Sequence, residues 1–81
     1  MSLRVLFFAS LADVVGSREL ELDVSKYPDV NSIYSRFEEE FPKMAEYRPA
    51  VMCAVNSEYA ALETAVKDGD EIAFLPPVSG G

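Results

Sequence analysis

Histidine and tryptophan are absent from this 81-residue chain, and cysteine occurs once. Without histidine the commonest general base and the commonest metal ligand are both missing. One cysteine beside that absence leaves nothing from which a zinc site is ordinarily built, and no internal disulfide can form. The lone thiol, Cys53, suits a reducing compartment. Positive charge is also scarce: seven Lys and Arg face fourteen Asp and Glu, a net charge of −7. Phosphate backbones and anionic membrane surfaces would repel such a chain, so nucleic acid and membrane are set aside and a basic protein partner is favoured. No apolar run approaches the length of a bilayer span. The stretch Leu3 to Ala9 is too short for a signal peptide and carries Arg4 within it, so a cytoplasmic protein is expected. No Gly-rich stretch is followed by Lys-Ser or Lys-Thr, so no phosphate-binding loop is expected. The length predicts one small domain, residues 1–81, without internal repeats.

What is present reads as a mixture of strands and helix. Arg4 to Ala9 is rich in β-branched and aromatic residues and apolar at both parities, as in a central strand. Ser10 then opens a short helix as its cap, with Asp13 at capping-box spacing and Gly16 as the left-handed stop. Glu19 to Val24 alternates acid and apolar residues, which predicts a strand with one wet face, antiparallel to the first. Asp29 caps the main helix, in which Val30, Ile33, Phe37 and Phe41 form one stripe. Glu38-Glu39-Glu40 reads as a solvated face, and Pro42 ends the helix. Lys43 to Pro49 is expected to be irregular, with room for a helical turn. Val51 to Val55 is a third strand, Tyr59 to Leu62 a short edge strand, and Glu71 to Leu75 the last strand. Cys53, in the middle of an apolar run with nothing basic beside it, reads as a small buried hydrophobe.

The chain closes on Pro76-Pro77-Val78-Ser79-Gly80-Gly81. Two prolines remove consecutive backbone donors, so the ladder cannot continue and the tail must leave the sheet. The side chains then shrink to nothing, and a tail that thin enters a slot that any Cβ would block. Four residues past the second proline reach ~13 Å when extended. On these residues alone two readings stand, a terminus that works by its own carboxylate and an ordinary frayed end.

Val5-Leu6-Phe7-Phe8-Ala9, Ala54-Val55-Asn56 and the block from Asp68 to Gly81 together resemble the small subunits of molybdopterin synthase, ubiquitin-like sulfur carriers. The resemblance spans nearly the whole chain, while Ser17 to Ala50 matches only in pattern. It implies an α+β, ubiquitin-like β-grasp fold: a mixed sheet of four to five strands, covered on one face by one main helix, with a flexible Gly-Gly tail. It further implies that an E1-like adenylating enzyme, using ATP and Mg, activates the Gly81 carboxylate, that a sulfur donor protein then supplies the sulfur of a thiocarboxylate, and that the tail delivers this sulfur to a pyranopterin precursor inside a large synthase subunit. Gly80 would be required for steric reasons, and Pro76, Pro77, Val78 and Ser79 would contact the partner. The implied assembly is a heterotetramer of two small and two large subunits, with acid-base groups in the large one and no cofactor or metal on this chain. A carrier for thiamin biosynthesis or tRNA thiolation, a protein-conjugating modifier, and a plain interaction module remain the alternatives.

One helix covers one side of a sheet, yet Val5, Phe7 and Ala9 on one parity and Leu6 and Phe8 on the other are all apolar. In the last strand Ile72 and Phe74 likewise oppose Ala73 and Leu75. Phe8 and Leu75, with Tyr59 as a third member, are therefore expected to form a docking face on the side away from the helix. The competing expectation is that Lys43 to Pro49 folds over that face and buries it.

Overall fold

A computed structural model describes residues 1–77; the four residues of the tail named above, Val78, Ser79, Gly80 and Gly81, lie outside the described residues. The elements run β1 (Ser2–Phe7), α1 (Ser10–Val15), β2 (Glu19–Asp23), a 3₁₀ turn (Val24–Lys26), α2 (Val30–Glu40), α3 (Met44–Tyr47), β3 (Met52–Val55), β4 (Glu58–Ala60) and β5 (Glu71–Leu75). The five strands lie in the order β2-β1-β5-β3-β4. β1 pairs in parallel with β5 and antiparallel with β2, and β3 is antiparallel to both its neighbours.

Strand parity decides what the sheet buries. Leu3, Val5 and Phe7 of β1, with Ile72 and Phe74 of β5, turn to the inner face, where Val30, Ile33, Tyr34 and Phe37 of α2 cover them. Phe7 meets Phe37 edge-on at 4.8 Å between ring centroids, and Tyr34 meets Phe74 at 5.1 Å. Each such buried aromatic stabilises the fold by about 2–3 kcal/mol, which makes this cluster the fold's main source of stability.

α2 starts where its cap permits. The Asp29 side chain accepts from the Ser32 N–H at 2.8 Å, and Ser32 Oγ accepts from the Asp29 N–H at 3.3 Å, closing a capping box. Two more N–H groups of the first turn, on Val30 and Asn31, donate to the carbonyls of Thr64 and Leu62 at 3.0 and 2.8 Å. That demand accounts for an edge strand shorter than the sequence suggests: β4 stops at Ala60, because the carbonyls beyond it serve the helix end.

The segment between helix and third strand also takes a definite form. α3 lies against α2, Met44 is buried, and the Tyr34 hydroxyl donates to the Met44 carbonyl at 2.6 Å. Arg48 completes the attachment: its Nε and Nη2 donate to the two oxygens of Glu38, both at 2.8 Å, and Nη1 reaches Asn31 Oδ1 at 2.6 Å. Glu38 is thus a partner for Arg48 rather than part of a merely solvated acidic run. Lys43 to Pro49 covers the helix side of the molecule, which removes the expectation that it buries the outer sheet face.

The entry to α1 is a further correction. β1 ends at Phe7, and the N-cap of α1 is Ala9, with no side-chain cap; Ser10 is already helical and forms no capping box with Asp13. The Leu11 N–H donates to the Phe8 carbonyl at 3.1 Å across a tight turn in which Ala9 has φ 51° and ψ −126°. A turn of that shape normally holds glycine at this position. The same reversal takes Ala9 off the inner face on which simple alternation would put it. The Gly16 stop is as expected, at φ 81°.

Two stability measurements check these interactions. Glu38 is held below its ordinary pKa of 4.5, first by the Arg48 hydrogen bonds. A depressed folded value means that the contribution is complete above the unfolded pKa and is lost as pH falls through the folded one. Glu38→Gln should therefore cost about 1 kcal/mol at neutral pH, after discounting for partial exposure, and the two denaturation curves should converge in acid. Ala9→Gly should raise the urea midpoint, because relief of the positive-φ strain exceeds the added chain entropy by about 1 kcal/mol.

Candidate functional site

The register lines up the outer face in rows. Glu21, Arg4 and Glu71 form one row; Glu19, Leu6, Ala73, Ala54 and Tyr59 form the next across all five strands. Beyond it Leu75 pairs with Met52, and Phe8 continues past the end of β1, its N–H donating to the Phe74 carbonyl at 3.2 Å. Polarity therefore changes along the strands, from charged at the start of β5 to apolar at its end.

In the charged row Arg4 contacts Glu71 and lies 3.4 Å from Glu19. These pairs are half exposed and contribute at most about 1 kcal/mol each. They serve mainly to neutralise one another beside the apolar rows.

The apolar rows make a shallow site. Ala54 and Ala73, too small to fill the space above the sheet, form the floor of a concavity of about 270 Å³, walled by Leu6, Phe8, Tyr59 and Leu75. Phe8 is 45% exposed, Tyr59 73% and Met52 39%, large apolar surface for so small a domain to leave in water. Phe8 and Leu6 also border a second hollow of about 500 Å³, shared with Ala9, Ala12, Asp13 and Arg18, so Phe8 stands as a ridge between the two. The three anchors expected from the sequence, Phe8, Leu75 and Tyr59, are thus gathered around one concavity. Pro76, half buried, and Pro77, exposed, follow directly from its rim.

Met52 belongs to the same face and was not anticipated. Its strand is apolar at every position, so the sequence gives no parity, and only the pairing with Leu75 fixes its side. Leu6, Ala54 and Ala73 join the site by the same alternation.

Cys53 lies on the other face. It is buried, its thiol donates to the Ala60 carbonyl at 2.9 Å, and burial first, then the charge of Glu63, pushes its pKa up. A thiol kept protonated and covered does not act as a nucleophile. Among the described residues no group of three or more Cys, Asp or Glu side chains is placed to hold a metal ion, and no helix is long and apolar enough to cross a membrane.

Known proteins share both sequence and fold. A molybdopterin synthase sulfur carrier subunit from Mycobacterium tuberculosis is 32% identical over 83 aligned positions, covering 100% of this chain and 99% of that protein. The solved structure of SAMP1, small archaeal modifier protein 1, from Haloferax volcanii is 34% identical with a TM-score of 0.79, each chain covered in full. A chain in the complex of subunits 1 and 2 of the molybdopterin-converting factor from Helicobacter pylori is 27% identical, with a TM-score of 0.67 over 100% of both chains. The five-stranded mixed sheet with its covering helix is a ubiquitin-like β-grasp. The profile of the ThiS family matches residues 5–81, from within β1 to the last residue, and the chain belongs to that family.

Proposed function

We propose that the chain is the sulfur carrier subunit of a molybdopterin synthase and that its chemistry takes place on Gly81. The observation that carries the proposal is the apolar concavity at the end of β5, from whose rim the chain runs through Pro76 and Pro77 into Val78-Ser79-Gly80-Gly81. Relatives that bear this name over their whole length support it.

An ionised carboxylate is a poor electrophile, and the sequence holds no phosphate-binding loop with which to activate one. An E1-like enzyme therefore supplies ATP and Mg, and forms the Gly81 acyl adenylate with release of pyrophosphate. A sulfur donor protein provides the sulfur that displaces AMP and leaves a thiocarboxylate. The tail then enters the large subunit, which holds the acid-base groups, and the sulfur passes to a pyranopterin precursor. Two such deliveries complete the dithiolene, and hydrolysis returns Gly81 to its carboxylate. Phe8, Leu75 and Tyr59 dock on the large subunit, while Pro76, Pro77, Val78 and Ser79 line its channel and Gly80 fits a narrow point. The working assembly is two small and two large subunits in the cytoplasm, and this chain holds no cofactor of its own.

The likeness to a small archaeal modifier protein supports a second reading. A lysine amine that attacks the same adenylate gives an isopeptide bond instead of a thiocarboxylate. Intact-mass measurement of the protein from cells separates the two: oxygen-to-sulfur exchange at the C-terminus supports the carrier, and conjugates the modifier.

Deleting Gly81, or adding one residue after it, should abolish dithiolene formation in a reconstituted synthase given a sulfur source, with the melting temperature unchanged. Gly80→Ala should slow transfer without affecting docking. Full activity of the deletion would remove Gly81 from the chemistry. Phe8→Asp should weaken association with the large subunit by about 2 kcal/mol, roughly thirtyfold, while the isolated domain stays folded. Unaltered affinity, or an unfolded domain, would remove Phe8 from the docking face.

A further inference from the structure

The turn between β3 and β4 is tied to the buried carboxylate of Asp70, the residue just before β5. Asn56 and Ser57, the two turn residues, have φ 52° and 72°, the pattern of a tight hairpin in which asparagine is favoured first. The Asn56 side chain does more than tolerate that conformation. Its Nδ2 donates to Asp70 Oδ1 at 2.9 Å, its Oδ1 accepts from the Glu71 N–H at 3.0 Å, and its backbone N–H donates to the Glu71 carbonyl at 2.8 Å. Asp70 is 5% exposed, the one buried charged side chain among the described residues. Its second oxygen accepts from the Lys67 N–H at 2.9 Å, and its carbonyl accepts from the Arg4 N–H at 3.0 Å. The hairpin tip, the start of β5 and β1 are thus joined through Asn56 and Asp70.

One end of β4 meets this clamp. β4 is a three-residue edge strand paired only with β3; the Cys53 thiol on the Ala60 carbonyl and the Leu62 carbonyl on the Asn31 N–H hold its far end, and the hairpin holds the near one. Tyr59 sits at its centre, opposite Ala54, and forms one wall of the apolar concavity with its side chain largely in solvent. A side chain that exposed has little packing to hold it, and the direction of its Cα–Cβ bond is set by the backbone of β4.

We propose that Asn56 is a positioning residue for docking: through Asp70 and Glu71 it fixes β4 at the angle that holds Tyr59 against a partner seated on the concavity. The inference rests on the docking face described under the proposed function. Asn56 does not itself line the concavity, and the tail leaves from the opposite end of β5, so association is affected and the chemical step is not.

Asn56→Gly isolates the role, because glycine keeps the positive φ while both side-chain hydrogen bonds are lost. In a reconstituted synthase with the large subunit, this variant should raise the KM for the sulfurised carrier roughly fivefold and leave kcat unchanged, the mark of lost uniform binding. In a Tyr59→Ala background the same change should raise KM no further, as expected of two residues that act as a unit. NMR should show shifted amide resonances in β4 with those of Ile33 and Phe37 unmoved. An unchanged KM for Asn56→Gly beside a weakened Tyr59→Ala overturns the positioning role and leaves the docking face standing. An equal rise in both backgrounds, or a fall in kcat, overturns it as a general structural effect. An unaffected Tyr59→Ala removes Tyr59 from the docking face, and the inference falls with that reading.

Discussion

One main helix, α2, covers one face of a sheet whose other face is also apolar over part of its length, and most of the molecule follows from that imbalance. α2 is long enough to cover Val5, Phe7, Ile72 and Phe74, and the aromatic contacts of Phe37 and Tyr34 fix its position there. α3 and the segment after β4 then attach to α2 rather than to the open face: one supplies a carbonyl to Tyr34, the other two carbonyls to the helix N-terminus. Each attachment satisfies a polar group that burial of α2 would otherwise leave unpaired, a cost of about 1–3 kcal/mol per group. The outer face stays open because the connecting segments are engaged on the helix side.

How much of this could be read from the residues depends on whether a signal was local. Alternation in β2, the spacing of Val30, Ile33 and Phe37, and the Asp29 cap are local, and the elements appear where they were expected. The parity of β1 and β5 is enough to place Phe8 and Leu75 on the far face, the side marked by Ser2 and Arg4 in β1 and by Glu71 in β5. In β3 every residue is apolar, so Met52 had no such mark. Ser10 and Asp13 do match a capping box, but a turn closed by the Phe8 carbonyl sets the helix start one residue earlier in a conformation that no residue type there announces. The Glu38 to Arg48 pair spans ten positions, from α2 to the residue just after α3, and the acidic run around Glu38 conceals it.

Under the proposed function, the outer face pairs two requirements that ordinarily conflict. A docking surface must be apolar enough to bind, and a free domain must remain dispersed. Here the apolar rows are narrow, floored by alanines, and flanked by Glu19, Arg4 and Glu71 in mutually neutralising contacts. A net charge of −7 on so small a chain adds repulsion between copies. The same acidity favours approach to a basic partner, so dispersal and recognition draw on one property.

Under the proposed function, the position of the concavity also sets how tightly the tail itself has to bind. Leu75 is both a wall of the docking site and the last residue of β5, so a partner seated on it fixes the origin of the tail. Pro76 and Pro77 carry that origin outward with restricted φ, and the four residues beyond them reach ~13 Å. The terminal group is then presented to the partner's site at an effective concentration in the millimolar range or above, because its search is confined to a short tether. Affinity can therefore reside in the docked face while the tail stays thin and weakly held. A carrier loaded by one enzyme and emptied by another needs that separation: the docking surface can be shared between partners, and the tail can leave each site once its acyl group has changed.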